Sequence, residues 1–351
     1  MAVTMADIAQ AAGVSKNAVS LALRHDDRIS APTRERIVKI AADLGYRKNP
    51  VMSHLMAELR RSQGIEFKRT LGLLNGYPHS AEIHDHPTLA AWLAGCRHRA
   101  AQQGYGMDEF WLYDKGMRPE RLDSILSARG IRGIILVGTF RQRHMPEKWS
   151  PIWETRSCVL TGVRTESPRF SYSCVDHHAL IVEAVNRVVA LGYRRPGLVV
   201  DKSVDLLVDG RFSAGFAYAQ RQLPPSDRVP WLSDQEKAWE DPGVVDRWLE
   251  KHRPDVILTL HINVRRWLEE RGYRVPRDMG LVLLERRLDA EGWAAMDQHN
   301  DEAGEAAVDI MIRGLQNGEV GVPAHPRAIL ITATWMMGNT VLDRRAVPTG
   351  S

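Results

Sequence analysis

The sequence predicts an α/β protein in which a small all-helical N-terminal module precedes a larger body built on parallel β-sheets. Two observations support this fold class. Apolar residues recur at helical spacing through the first 48 residues. From residue 65 to about 345, short apolar runs typical of buried strands alternate with helical stretches. Such alternation indicates parallel sheets covered by helices on both faces, and 351 residues suffice for two or three domains.

Charge is distributed unevenly along the chain. Residues 1–64 contain ten Lys and Arg against six Asp and Glu, so the whole formal excess of +4 lies in the first fifth of the sequence. A basic module on a neutral body favours contact with a polyanion such as nucleic acid. A solvated charged face is the alternative that charge alone leaves open.

The overall composition excludes several classes of protein. Hydrophobic residues are 44% and charged residues 26% of the chain, as in soluble globular proteins. No apolar run approaches the roughly 18–20 residues of a membrane helix, and no secretory signal is visible. The three cysteines, Cys96, Cys158 and Cys174, are odd in number and far apart, which favours reduced thiols. We therefore expect a cytoplasmic protein that does not contact a membrane.

Residues 1–48 predict three short helices arranged as a helix-turn-helix. Thr4 begins a capping box, Gly13 supplies a tight turn, and Ser15 caps the second helix. A third helix within residues 30–46 closes the core. A three-helix domain that binds another protein is the alternative to DNA binding at this point.

In a helix-turn-helix the second helix enters the major groove, so its outward side chains should reach base edges. Lysine can donate to guanine, asparagine can pair with adenine, and leucine can contact a thymine methyl group. We expect the outward residues to be Ser15, Lys16, Asn17, Ser20 and Leu21.

Residues 49–64 form a separate segment between the module and the body. Leu55, Met56 and Leu59 recur at roughly helical spacing, and the last five residues are polar and end in glycine. The pattern predicts a short helix followed by a linker. An ordinary linker with one amphipathic turn is the alternative.

The body is expected to alternate between strand and helix. The expected strands are 70–74, 106–112, 131–137, 157–161, 197–200, 255–259 and 279–284. The expected helices are 87–103, 119–129, 178–191, 211–222, 264–271 and 301–317. Parallel sheets of this kind bind ligands at the carboxyl ends of their strands.

Motifs for nucleotide binding or nucleophilic catalysis are absent from the sequence. There is no G-x-G-x-x-G after the first strand, no G-x-x-x-x-G-K followed by Ser or Thr, and no G-x-S-x-G. The pairs His84 with His86 and His177 with His178 offer too few ligands for a closed metal site. We expect no metal, no cofactor and no enzymatic activity.

Five short runs in the first 50 residues stand in one register. They are Asp7-Ile8-Ala9, Ala12-Gly13-Val14-Ser15, Ala18-Val19-Ser20, Ser30 with Thr33-Arg34, and Leu44-Gly45-Tyr46 with Asn49. Together they resemble the headpiece of the LacI/GalR family of transcription regulators. The resemblance implies a homodimer that reads a near-palindromic operator in double-stranded DNA. The DNA-binding candidates also include Thr4, Arg28 and Asn49. Leu21 stands where many members carry Arg, which implies a shifted half-site preference.

Residues 49–64 resemble the hinge helix of the same family, which pairs with its dimer mate in the minor groove. Leu55 matches the leucine that levers a base step apart. Met52 stands where a small residue is usual, so close helix pairing at this point departs from the family pattern.

Motifs spread over the body match the regulatory core of the family. They include Gly130 to Val137, Leu191 to Arg195, Asp209 to Arg211, Arg253 to Ile257, Arg274 to Asp278, and Asp297-Gln298 with Gly304. The resemblance implies a core at 65–345 with the fold of type I periplasmic sugar-binding proteins. Two subdomains would be joined by three crossings, with an effector in the cleft. The implied N-subdomain spans 65–176 and 297–332, and the C-subdomain spans 177–296 and 333–345.

The candidate effector-binding residues follow the ends of predicted strands. Arg211 matches the effector-contacting arginine of the family, and its guanidinium can hold hydroxyls, carboxylate or phosphate. A local bridge is the alternative. Glu285 stands where relatives commonly have Asp and can accept two hydroxyl hydrogen bonds, although it could instead pair with Arg286. The remaining candidates are Asn75, Tyr77, His86, Trp111, His261 and Asn263. For Trp111 a place in the core is the alternative.

We interpret the chain as a sequence-specific DNA-binding transcriptional regulator. We expect a repressor controlled by a small-molecule effector, a sugar or sugar derivative. A solute-binding protein for transport is an alternative that the basic module and the missing signal argue against. An enzyme of carbohydrate metabolism is a second alternative, but no catalytic carboxylate pair supports it.

Residues 343–351 carry no apolar heptads, so we expect a dimer rather than a coiled-coil tetramer.

Overall fold

The computed structural model describes residues 3, 5–23, 28–44, 69–77, 82–138, 144–233, 241 and 243–345. The candidates Thr4, Asn49 and Leu55, the segment 49–64 and the side chain of Asn17 lie outside this description. Within it, no helix is both long enough and apolar enough to cross a membrane.

Three short helices form the N-terminal module. They are α1 (Met5–Ala12), α2 (Lys16–Ala22) and α3 (Ala31–Asp43). Gly13 turns the chain between the first two helices at a φ of 64°, which glycine adopts without steric cost. The helices enclose an apolar core made of Ile8, Ala9, Ala12, Val19, Ala22, Ile37 and Ala41. The predicted helix-turn-helix is therefore confirmed.

The body consists of alternating strands and helices. Its strands are β1 (Arg69–Asn75), β2 (Tyr105–Trp111), β3 (Gly133–Val137), β4 (Ser157–Thr161), β5 (Ser171–Val175), β6 (Pro196–Val199), β7 (Val256–Thr259), β8 (Gly280–Leu283), β9 (Ala294–Asp297), β10 (Ala328–Ile331) and β11 (Thr334–Met336). Its helices are α4 (Glu82–Asp85), α5 (Pro87–Gln102), α6 (Pro119–Ala128), α7 (Ser150–Thr155), α8 (His177–Ala190), α9 (Lys202–Leu207), α10 (Arg211–Gln220), α11 (Gly243–His252), α12 (Asn263–Glu270) and α13 (Asn300–Gln316).

The strands form two separate sheets. The first sheet has six parallel strands in the order β10-β5-β4-β3-β1-β2. The second has the order β11-β9-β8-β7-β6, and only β11 runs antiparallel to its neighbour. Helices α5 and α13 cover one face of the first sheet, and α6 and α7 cover the other. Helices α8 and α10 cover one face of the second sheet, and α11 and α12 cover the other. The predicted α/β class with parallel sheets is confirmed.

The chain passes between the two sheets three times. It crosses at Asp176 from β5 into α8, at residues 298–299 from β9 into α13, and at residues 332–333 from β10 into β11. The Asp176 carboxylate accepts the backbone N–H of Ala179 at 3.0 Å and so caps α8 directly after the first crossing.

Several short elements were not predicted from the sequence, namely β5, β9, β10, β11, α4, α7, α9 and α11. Strand β5 shows the physical reason. Ser171 and Ser173 are buried in it, and their hydroxyls bond to backbone: Ser173 Oγ donates to the carbonyl of Ala303 at 2.5 Å, and Ser171 Oγ accepts from the N–H of Arg327 at 3.0 Å. Because hydrogen bonds satisfy these polar groups, the strand lacks the apolar run that identifies buried strands.

Helices α5 and α13 meet at two glycines. A Cβ placed on Gly95 would lie 1.9 Å from the carbonyl oxygen of Asp301, and one placed on Gly304 would lie 2.2 Å from that of Trp92. The Sγ of Cys96 also donates to the carbonyl of Gly304 at 3.3 Å. The two backbones therefore touch without intervening side chains.

Gly95→Ala should destabilise the protein by about 1–3 kcal/mol, because the added methyl group must force α5 and α13 apart. Gly314→Ala is the matched control in α13, where the nearest atoms lie at 3.4 Å. Alanine in that helix interior should raise stability by about 0.5–1 kcal/mol or leave it unchanged. Chemical denaturation measures both changes, and wild-type stability of Gly95→Ala would contradict the close packing.

Candidate functional site

The candidate DNA-contacting surface lies at the start of α2. The Ser15 hydroxyl accepts the backbone N–H of Ala18 at 3.1 Å, which fixes the beginning of the helix. Ser15, Lys16 and Arg28 are exposed and Ser20 is half-buried. These residues offer a hydroxyl, an ammonium and a guanidinium to a polyanion.

Leu21 differs from the expectation that it faces outward. Only 8% of its surface is exposed, whereas its helix neighbour Lys16 is exposed. Removing a leucine side chain from water is favourable by about 1.5–3 kcal/mol, which accounts for its inward position. The described outward residues of α2 are therefore polar.

A second candidate site lies where the carboxyl ends of the two sheets approach each other. On the side of the first sheet, Asn75 ends β1 and is buried. Its Oδ1 accepts the backbone N–H of Tyr77 at 2.8 Å, and the indole N–H of Trp111 donates to the carbonyl of Tyr77 at 2.9 Å. The three residues hold one another, and Trp111 and Tyr77 are each half-buried.

Arg211 links the second sheet to the first. Its guanidinium donates to the hydroxyl of Tyr172 at 2.8 Å and to the Sγ of Cys174 at 3.4 Å, both on β5. One carboxylate oxygen of Asp209 lies 4.0 Å from Arg211 and 2.5 Å from Arg164, which follows β4. A cavity of about 10 Å³, room for roughly one water molecule, lies among these residues. Arg211 thus bridges the two sheets at the wall of this cavity.

Glu285 makes the corresponding link after β8. Its Oε1 accepts the hydroxyl of Thr88 at 2.6 Å and the amide of Asn300 at 2.9 Å, and these residues begin α5 and α13. Trp92 in turn donates to Asn300 Oδ1 at 3.1 Å. Arg286 pairs with Asp297 at 3.3 Å and not with Glu285. Glu285 therefore joins the end of the second sheet to the helices on the first.

His86 directly precedes α5, on the first-sheet side of the gap between the carboxyl ends of the two sheets. Desolvation lowers the pKa of His86 against the opposing effect of the Glu285 carboxylate, and the nearby guanidinium of Arg287 lowers that pKa further. The ring is therefore mostly uncharged near neutral pH. These mutual effects place His86 within electrostatic range of Glu285.

His261 and Asp201 follow β7 and β6 and complete the row of polar residues along the second sheet. His261 Nε2 lies 3.4 Å from Asp201 Oδ2, and Asp201 is 7% exposed. Asn263 is exposed at the start of α12. Sequence reasoning missed Asp201, although its position one residue after a predicted strand was the available signal.

Three buried polar atoms in this region have no hydrogen-bond partner among the described residues. They are Thr161 Oγ1 at the end of β4, His177 Nδ1 at the start of α8, and Asp201 Oδ1. Burial and the nearby Arg211 lower the pKa of His177 to about 4, so its ring is neutral at pH 7. The described residues contain no group of three or more potential metal ligands. Thr161, His177 and Asp201 therefore present hydrogen-bonding capacity that the described residues do not use.

Comparison with known proteins links both regions to one class. The model of bacterial regulatory proteins of the lacI family matches residues 4–49, and that of the periplasmic binding protein-like domain matches residues 185–341. The NTD biosynthesis operon regulator NtdR of Bacillus subtilis (strain 168) is 24% identical over 292 residues, which cover 81% of this chain and 83% of NtdR.

Solved structures share the fold. The transcriptional regulator CelR in complex with cellobiose is 16% identical, with a TM-score of 0.57 over 96% of this chain and 99% of that one. The lac repressor dimer bound to operator and the anti-inducer ONPF is 20% identical, with a TM-score of 0.55 over 97% of this chain and 100% of that one. At these identities the similarity shows a common fold.

A helix-turn-helix module joined to a two-sheet, periplasmic-binding-protein-like body defines a DNA-binding regulator of transcription rather than an enzyme. Residues 4–49 thus carry the DNA-binding domain of the lacI family, and residues 185–341 carry a periplasmic binding protein-like domain.

Proposed function

We propose that this regulator is a dimeric repressor whose affinity for a near-palindromic operator is controlled by a small polar effector. The effector binds between the carboxyl ends of the two sheets. One observation carries the proposal: Thr161, His177 and Asp201 each hold a buried polar atom without a partner among the described residues. Thr161 ends β4, and His177 and Asp201 each follow a strand within two residues.

The energetics favour a ligand at this place. A buried polar group without a hydrogen bond costs about 1–3 kcal/mol, so such atoms are rare unless something else satisfies them. A molecule with several hydroxyl groups can donate to His177 Nδ1 and Asp201 Oδ1 and exchange a hydrogen bond with Thr161. Binding of such a molecule offsets the free-energy cost of leaving these three polar atoms without hydrogen bonds.

The hydrogen bonds that join the two sheets beside the site, which we call the seam, provide a route by which an effector can control DNA binding. Glu285 contacts Thr88 and Asn300 across the gap, and Arg211 contacts Tyr172. An effector inserted beside these contacts changes the free-energy balance between arrangements of the two sheets. In this proposal the N-subdomain spans 65–176 and 297–332, and the C-subdomain spans 177–296 and 333–345.

Relatives with this fold support the proposal by analogy. The CelR structure is a complex with cellobiose, and the lac repressor structure is a dimer bound to operator and an anti-inducer. We extend sugar-type effectors and dimeric operator binding to this chain, with residues 1–48 as headpiece and 49–64 as hinge. Because residues 1–64 carry the basic excess, we assign the DNA contacts to the headpiece and the hinge.

Lys16→Ala should weaken binding to a selected operator by about 10- to 100-fold, because the exposed ammonium at the start of α2 contacts a base edge. The operator is first selected from random duplexes with the full-length protein. Titration of the selected and a scrambled duplex at one salt concentration measures the change, which should be smaller on the scrambled duplex.

Lys39→Ala is the matched control, since it removes the same charge from an exposed position on α3. We expect it to weaken both duplexes equally and by less than tenfold. Equal losses for Lys16→Ala on both duplexes would remove Lys16 from base recognition.

A ligand at about a hundred times its Kd should add about 2.7 kcal/mol of stability, and thermal unfolding with sugars, sugar acids and sugar phosphates checks this. The same ligand must change the operator Kd, because coupling between two sites is reciprocal.

Arg211→Ala should abolish the thermal shift. The control Arg247→Ala, which replaces an exposed arginine paired with Asp241, should retain it. A ligand that stabilises Arg211→Ala as well as wild type binds elsewhere.

A further inference from the structure

We propose that the effector carries an ammonium group and that Asp201 is the residue that recognises it. This inference rests on the proposed effector site and specifies the chemistry of its ligand. A polyol or sugar bearing a protonated amine is the class that fits.

Asp201 is a buried carboxylate whose hydrogen-bonding capacity is unfilled. It is 7% exposed, and its Oδ1 is shielded from solvent without a hydrogen-bond partner among the described residues. It stands at the N-terminus of α9 but makes no side-chain bond to that helix. Its other oxygen lies 3.4 Å from His261 Nε2, which is longer than a normal charge-assisted hydrogen bond. The position of this carboxylate is therefore not explained by a cap or a short ion pair.

The cations around the gap already face carboxylates of their own. Arg164 pairs with Asp209 at 2.5 Å and Arg286 pairs with Asp297 at 3.3 Å. Arg287 lies in electrostatic range of Glu285, but its guanidinium bonds both oxygens of Asp289 at 2.9 Å. Each of these guanidiniums is paired with a carboxylate other than Asp201.

The carboxylates of the gap, by contrast, are held by neutral groups. Glu285 accepts from the hydroxyl of Thr88 and the amide of Asn300. Among the described residues no Lys or Arg forms an ion pair with Asp201 or Glu285. His261 Nε2 approaches Asp201 Oδ2 only to 3.4 Å and so forms no short ion pair with it. In the described part of the chain, the carboxylates of Asp201 and Glu285 therefore have no Lys or Arg as an ion-pair partner.

An ammonium group can both fill the free hydrogen-bonding capacity of Asp201 and compensate the negative charge of these carboxylates. A buried charge is costly unless it is paired, and an ammonium supplies the opposite charge together with three N–H donors. A neutral hydroxyl can bond Asp201 but leaves its charge uncompensated. A carboxylate or phosphate on the ligand would be repelled.

The first experiment compares matched ligands at pH 7 on the full-length protein. D-glucosamine, D-galactosamine and D-mannosamine are each titrated beside the N-acetyl form and the parent sugar. The Kd of the best amino sugar should be about tenfold or more lower than the Kd of its two neutral counterparts, because only it carries the charge. Asp201→Asn should remove this preference, and the control Asp241→Asn, on an exposed carboxylate paired with Arg247, should keep it.

The second experiment needs no ligand. Asp201→Asn keeps the shape of the side chain and removes the uncompensated charge, so its Tm should rise by about 2 °C or more above wild type. Asp241→Asn should melt at or below wild type, because it loses an ion pair. If Asp201→Asn melts below wild type, the carboxylate is a structural partner of His261 and the proposal is wrong.

The outcomes separate this inference from the function on which it rests. If neutral sugars bind as tightly as their amino forms, the cleft binds an effector, but the proposal that this effector carries an ammonium group is wrong. If no sugar of any set binds and Asp201→Asn gains no stability, both the ammonium and the polar effector site are refuted.

Discussion

The arrangement of this protein depends on one constraint: two parallel sheets share a single chain that crosses between them three times. The crossings at Asp176, at residues 298–299 and at residues 332–333 bring the carboxyl ends of the strands toward a common gap. Polar residues that follow the strands therefore meet residues from the other sheet. Arg211 reaches Tyr172, and Glu285 reaches the first turns of α5 and α13.

The two sides of this gap are built differently. The layers behind it are closely packed, and α5 and α13 touch at backbone level through glycine. At the gap itself, three buried polar atoms have no hydrogen-bond partner among the described residues, which lowers the stability of the unliganded protein. Proteins commonly keep such costly features where a ligand has to bind. A rigid frame behind a polar seam is the arrangement that lets a small molecule change the relation of two sheets.

Local patterns in the sequence were sufficient for the fold class, because apolar strands such as Gly133–Val137 and helices such as Pro87–Gln102 carry clear periodicity. Strand β5 was missed because hydrogen bonds of Ser171 and Ser173 replace apolar burial, and those partners come from distant parts of the chain. Asp201 was missed for a related reason. An unsatisfied carboxylate can be recognised only when its surroundings are known, and the inward position of Leu21 likewise depends on tertiary packing.

The central claim is that the seam between the sheets is coupled to DNA binding, and the operator Kd of seam variants tests it most directly. Thr88→Val removes the donor of the 2.6 Å hydrogen bond between the two sides, and Glu285→Gln replaces its charged acceptor with a neutral one. The double variant lacks both the hydroxyl and the carboxylate. The account predicts that each single variant changes the operator Kd by about threefold or more. The double variant should change it by less than the product of the two, because both act on one contact. If all three folded variants bind the operator with the wild-type Kd, the seam does not control the headpiece.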